Sequence, residues 1–178
     1  MAQRQALTDL QQRLAQRLAQ ARQRRTEPGW LAVLVDGRGV LLALDQIGEI
    51  FQHQQVLPVP YTREWMLGVV NLRGSVCTAI DLGALLRSAG LDWPALDAVP
   101  SQALQLVTVN PCLQVNAAFR IDALAGLRHA DDFATQQPAS AGAPAYWGPC
   151  WQDAQAQRWQ VLDLQPLVHS PEFLGVAV

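Results

Sequence analysis

The sequence predicts a mainly β protein of two small barrels packed together, with a helix in front and a short helix after each barrel. Three observations carry this. At Trp30 the hydrophobic period changes from helical spacing to short apolar runs separated by turn signals. The strand-and-turn pattern restarts after a Pro-containing stretch, "LDWPALDAVPS" (91–101). Trp65 and Trp147 each precede an Asp-Leu pair, Asp81-Leu82 and Asp163-Leu164, by sixteen residues, which marks an internal repeat. Each unit, about 75–80 residues long, holds four or five short strands, too few for a stable open sheet but enough for a small closed barrel.

Residues 3–25 lack Gly and Pro and are rich in Ala, Leu, Gln and Arg, all good helix formers. Leu7, Leu10, Leu14, Leu18 and Ala21 form one apolar stripe. "TEPG" (26–29) stops the helix, so residues 1–29 are a helix and connector ahead of the main body, 30–178.

"WLAVLV" and "VLLAL" flank "DGRG", the composition of a tight hairpin turn. "IGEIFQ" (47–52) continues as a turn and strand, and "VLPVP" is held extended by its prolines. "LGVVNL" and "SVCTAI" make a second hairpin through Arg73-Gly74, and "DLGALLRSAG" is a short helix closed by Gly90. The first barrel is therefore expected over about 30–90. In the second, over about 101–165, "ALQLVTV" and "CLQVNAAF" flank "NP", and "RIDALAGLRH" takes the place of "QIGEIFQH". "DDFATQQPASAGAPA" (131–145) is expected to be a mobile loop, and 166–178 a C-terminal segment.

Charge limits the partners. All 13 basic residues are arginine, and the net charge is −2. Residues 1–29 hold six Arg against Asp9 and Glu27, or +4, whereas 30–178 hold seven Arg against thirteen acids, or −6. An acidic body repels nucleic acid, which argues against base stacking on the six tryptophans and for their use in packing. Cys77, Cys112 and Cys150 have no metal-ligand spacing and are expected to be buried free thiols. No apolar run reaches the roughly 20 residues of a membrane span, and the start has no secretory h-region, so the cytoplasm is expected.

Catalytic constellations are missing. His53, His129 and His169 have no ligand partner at helical spacing, and no serine lies in a nucleophile elbow. "DGRG" lacks the spacing and lysine of a phosphate loop, and Asp131-Asp132 reads as a solvated pair. No enzyme activity, metal or cofactor is expected.

The stretch "WMLGVVNLRGSVCTAIDLGALL" resembles the signature of the CheW-like domain, with Gly68, Val69, Asn71, Leu72, Arg73, Gly74, Asp81 and Leu82 at its fixed positions. "LAVLVDGRGVLLALDQIGEI" is similar to the family's first hairpin and its V-x-E-I segment, and the resemblance covers about 30–170. It implies two five-stranded, SH3-like barrels around a hydrophobic interface. It also implies a cytoplasmic adaptor at membrane-bound receptor arrays, joining the cytoplasmic tip of a methyl-accepting chemoreceptor to the regulatory domain of a CheA-type histidine kinase. Glu49 and Arg73 would contribute to receptor binding together with Ile47, Asn71 and Leu72, while Gly68 and Gly74 shape the hairpin. The tail "LVHSPEFLGVAV" looks like the end of PilI-type adaptors of the type IV pilus, or twitching, system. A general flagellar coupling protein and a small-ligand-sensing double barrel are the alternatives. For the N-terminal helix, packing on a barrel, self-association or another partner contact, and weak membrane attachment all remain open.

Overall fold

The computed structural model describes residues 29–52, 54–93 and 105–177. The expected N-terminal helix, His53 and most of the linker lie outside the described residues. The first half supplies β1 (Trp30–Val35), β2 (Arg38–Ala43), β3 (Ile47–Gln52), β4 (Met66–Leu72), β5 (Ser75–Asp81) and α1 (Leu82–Ser88). The second supplies β6 (Gln105–Val109), β7 (Ala117–Ile121), β8 (Ala123–Arg128), β9 (Phe133–Gln137), β10 (Trp147–Asp153), β11 (Arg158–Leu162), α2 (Leu164–Leu167) and α3 (Pro171–Leu174).

The strands form two sheets, in the orders β8-β1-β2-β11-β10-β9 and β3-β6-β7-β5-β4. Neither sheet belongs to one half of the chain. β1 and β2 pair with β8 and, in parallel, with β11, while β6 and β7 pair with β3 and, in parallel, with β5. Replacing β1, β2, β3, β4 and β5 by β6, β7, β8, β10 and β11 turns one order into the other, with β9 the only addition. The repeat is therefore present, but its units exchange strands.

The barrel expectation is met in part. Each sheet curls around a small core drawn from all of its strands. In the five-stranded sheet these are Phe51, Leu106, Ala118, Cys77, Ala79, Val70 and Leu72. In the six-stranded sheet Ala125, Ala32, Leu41, Trp159, Trp151 and Phe133 do the same, and Trp30 reaches Phe133 with ring centroids 6.4 Å apart. Among the described residues the hydrogen-bonded order of neither sheet returns to its first strand, so both are curled but open. The opposite faces share a third and larger core that includes Leu31, Val33, Val40, Leu42, Val107, Phe119 and Ile121. Central strands are thus covered on both faces, which is why β1 and β2 read as continuous apolar runs without alternation.

The two Asp-Leu pairs do one job twice. Asp81 Oδ1 accepts from Ala84 N at 2.9 Å to cap α1, and Asp163 Oδ1 accepts from Gln165 N at 3.1 Å to cap α2. The leucine that follows each is fully buried. Trp65 stacks on Phe173 of α3 at 6.4 Å. Beyond α3 the chain returns to the loop before β4, where Arg63 N donates to Val176 O at 3.0 Å.

Three local expectations are corrected. Residues 133–137, expected in a mobile loop, form β9 at the sheet edge, paired with β10. "CLQV" is not strand: Pro111–Leu113 is a 3₁₀ turn capped by Asn110, and β7 begins only at Ala117. Of the three free thiols Cys77 alone is buried; Cys112 is exposed and Cys150 half-buried. Burial pushes the Cys77 thiol pKa up.

The β10–β11 turn depends on one carboxylate. Asp153 accepts from Gln155 N, Gln157 N and, at 3.0 Å, from Trp159 Nε1. The Trp159 bond is the main cause that holds its pKa below the usual carboxylate range. A folded-state pKa below the unfolded value gives stability that is complete above the unfolded pKa, about 4, and is lost as pH falls through the folded one. Asp153→Asn should therefore melt below wild type at pH 6, with the gap narrowing toward pH 2. Melting curves that stay parallel across this range would show that the carboxylate charge is irrelevant.

Candidate functional site

The hairpin β4–β5 carries the sequence signature at its tip. Leu72 pairs with Ser75, leaving Arg73 and Gly74 as a two-residue turn with φ of 50° and 88°. Positive φ at both central residues matches the right-handed twist of the strands. Asn71 Oδ1 accepts from Gly74 N at 2.8 Å and stiffens the turn. Arg73 therefore leaves a fixed backbone.

The sheet's curl brings this tip to the opposite edge strand. Arg73 Nη1 lies 2.7 Å from Glu49 Oε2 on β3, and its guanidinium sits 5.6 Å from the centre of the Phe51 ring. The two charged side chains remain 74% and 55% exposed. An ion pair so open to water contributes under about 1 kcal/mol to folding. Its effect is orientation: a guanidinium resting on an aromatic ring and a carboxylate is presented outward on a turn that cannot swing.

Glu49 is placed by a β-bulge. The register of β3 on β6 shifts between Ile47 and Ile50, and Glu49 N donates to Thr108 Oγ1 at 2.8 Å within the irregularity. A bulge re-aims the side chain at its centre. Gly48 allows the approach, since a Cβ there would meet Thr108 Oγ1 at 2.6 Å.

The five residues expected at a receptor face divide by burial. Glu49, Asn71 and Arg73 are exposed, although the Asn71 side chain is engaged within its own turn. Ile47 belongs to the core between the sheets and Leu72 to the core of the curled sheet, so neither offers its side chain to a partner here. Sequence reading missed Phe51, the ring beneath Arg73, and the exposed Ile50 and Val76. Strand alternation from Glu49 was the available signal for Phe51.

The remaining charged clusters brace the frame. Arg120 bridges Asp81 at 2.7 Å and Asp122 at 3.2 Å, and Arg87 of α1 pairs with Asp36 in the β1–β2 turn. Among the described residues no group of three or more His, Cys, Asp or Glu side chains gathers as metal ligands, and no helix is long and apolar enough to cross a membrane. A groove of about 830 Å³ runs past Arg38, Trp93, Trp147, Cys150 and Arg158.

The curled-sheet pair and its signature hairpin define a class. The CheW-like domain model matches residues 29–172, and the chain belongs to the CheW-like family. Protein PilI of Pseudomonas aeruginosa is 27% identical over 182 residues, spanning 98% of this chain and 96% of that protein. In fold the chain is similar to the crystal structure of the scaffolding protein TtCheW from Thermoanaerobacter tengcongensis. The TM-score is 0.62 at 15% identity, over 83% of this chain and 96% of that one.

Proposed function

We propose that this protein is a signalling adaptor that couples a methyl-accepting chemoreceptor to a CheA-type histidine kinase in the control of type IV pili. The single observation that carries the receptor contact is the Arg73–Glu49 pair, fixed in direction yet left in water. Similarity to PilI along nearly the full length of both chains favours the pilus pathway over flagellar coupling. The action is binding, not catalysis. The adaptor bridges the helical receptor tip and the kinase's regulatory domain, and signalling follows when the bridge favours one kinase state over another. It would work in the cytoplasm beneath receptor arrays.

The test is the affinity of a receptor cytoplasmic fragment for wild type, Arg73→Glu, Glu49→Arg and the double exchange. Each single reversal should weaken binding by roughly tenfold, about 1.4 kcal/mol, with unchanged circular dichroism. The double exchange restores an ion pair on the adaptor but should not restore binding, because each side chain meets the receptor itself. Wild-type affinity in both single variants would reject the surface.

The second reading, a ligand-sensing module, rests on the 830 Å³ groove. Both of its arginines are already engaged by the protein. Arg38 donates to Asp92 O at 2.7 Å and lies over Trp93, and Arg158 donates to Gln137 Oε1 at 2.9 Å. A thermal shift with a panel of metabolites would favour this reading; adaptor activity without any such shift would favour the first.

A further inference from the structure

The outer side of β8 is an uncovered apolar edge. β8 ends its sheet, and its Leu124 and Leu127 are 40% and 62% exposed. The register sets their direction. Leu127 pairs with Leu31 and Leu124 with Val33, and Leu31 pairs on its other side with Leu42. Directly paired residues point to the same face. Leu31, Val33 and Leu42 face the core between the sheets, so Leu124 and Leu127 extend that apolar face past its rim. Leu44, two residues beyond Leu42, continues the row and is 39% exposed.

The described chain begins at this row. Gly29 O accepts from Leu44 N at 3.1 Å, and a Cβ at Gly29 would sit 3.0 Å from Leu44 Cδ1 and 3.1 Å from His129. Gly29, to which residues 1–28 are joined, therefore sits beside Leu44 and the end of β8.

Charge complements this geometry. Asp45 follows Leu44, and Asp131 and Asp132 lie just past His129; all three are exposed. Among the described residues neither Asp45 nor Asp131 has an ion-pair partner. Arg22, Arg24 and Arg25 come within seven residues of Gly29. Five extended residues reach about 17 Å, enough to bring Arg24 and Arg25 to these carboxylates.

We propose that the N-terminal segment, residues 1–28, folds back over the outer face of β8, laying its stripe of Leu7, Leu10, Leu14 and Leu18 on Leu44, Leu124 and Leu127 with its last arginines over Asp45 and Asp131. The occupant is this chain's own segment, because the apolar row starts where that segment departs and its charge opposes that of the surrounding surface. Glu49 and Arg73 lie on the other sheet, so the segment would act on stability rather than on that contact.

Limited trypsin digestion of the full chain tests this, since the segment carries six arginines. Cleavage after Arg13, Arg17 and Arg22 should be slow in wild type. It should accelerate roughly tenfold in Leu124→Glu/Leu127→Glu, because proteolysis follows the population of the open segment. Leu10→Ser/Leu14→Ser should do the same from the other side of the contact. Reversal of Asp45 and Asp131 to arginine should also accelerate cleavage, by less. Circular dichroism confirms that each body stays folded, and sedimentation gives the mass. Protection that is independent of concentration in a monomer, and lost in the β8 variants, supports the proposal. Wild-type cleavage as fast as in those variants would overturn it. So would protection that grows with concentration alongside a doubled mass, which would assign the face to a second copy.

Discussion

Gly68→Ala should unfold this protein at markedly lower urea than wild type, losing about 4 kcal/mol. Gly68 has φ of +139°, and a Cβ built on it would lie 2.1 Å from Leu57 O and 2.8 Å from Pro58 Cα. Both obstacles are backbone, so no rotamer change relieves them. The crossing segment is also tied to β4: Leu57 N donates to Val69 O and Val69 N to Leu57 O, each at 2.8 Å. Strain at an unfavourable φ costs roughly 1–3 kcal/mol and overpacking about as much again. Gly74 is the control. Its φ is +88°, but among the described residues nothing lies within 4 Å of a Cβ there, so Gly74→Ala should lose only about 1 kcal/mol of backbone strain. Equal unfolding midpoints for the two alanine variants would show that the crossing at Leu57 yields easily.

Asp81→Ala should cost about 2–3 kcal/mol, more than Asp163→Ala at about 1–2, although the two residues match in the repeat. Both lose a helix cap. Asp81 in addition neutralises Arg120, whose side chain is only 22% exposed. Asp122 at 3.2 Å remains to the arginine, which keeps the cost below that of a wholly orphaned charge. At Asp163 the second partner is neutral: Gln46 Nε2 donates to its Oδ1 at 2.7 Å, while Gln46 Oε1 accepts from Leu164 N at 2.8 Å. Thermal melts of both variants measure the difference. A larger loss for Asp163→Ala would mean that the amide network matters more than the ion pair.

These residues show which levels of structure were legible. The hairpins at 35–38 and 72–75 could be read because each needs two consecutive residues at positive φ, and Asp36-Gly37 and Arg73-Gly74 provide them. The repeat could be read because its Asp-Leu pairs mark helix starts. Strand exchange could not, because an apolar run states that a strand is buried without naming its neighbour. β9 was missed because its alternation is absent: Ala134, Thr135, Gln136 and Gln137 are all exposed on an edge strand. At the site, Arg73 sits in the β4–β5 turn and Glu49 on β3, with no local spacing to link them, and only the family resemblance joined them. The resemblance also placed Ile47 and Leu72 at the receptor face, and both are buried. The burial of the tryptophans followed the packing expectation, with Trp65, Trp93 and Trp159 all buried.

The exchange of strands between halves has a consequence for synthesis. When the first half has emerged from the ribosome, β1 and β2 form a hairpin that lacks both of its sheet neighbours, because Leu31 awaits Leu127 and Leu41 awaits Val161. The β4–β5 hairpin, whose β4 ends its sheet, lacks one neighbour until β7 arrives. The nascent chain must hold the second hairpin unfinished until β7 is made and the first until β11 is made, near the end of synthesis. Pairings this distant in sequence close large loops before they gain contact energy, so folding should be slow for the protein's size. During that interval the hairpins present open edges, and the long apolar runs that build the finished core become the surfaces on which a chaperone would act.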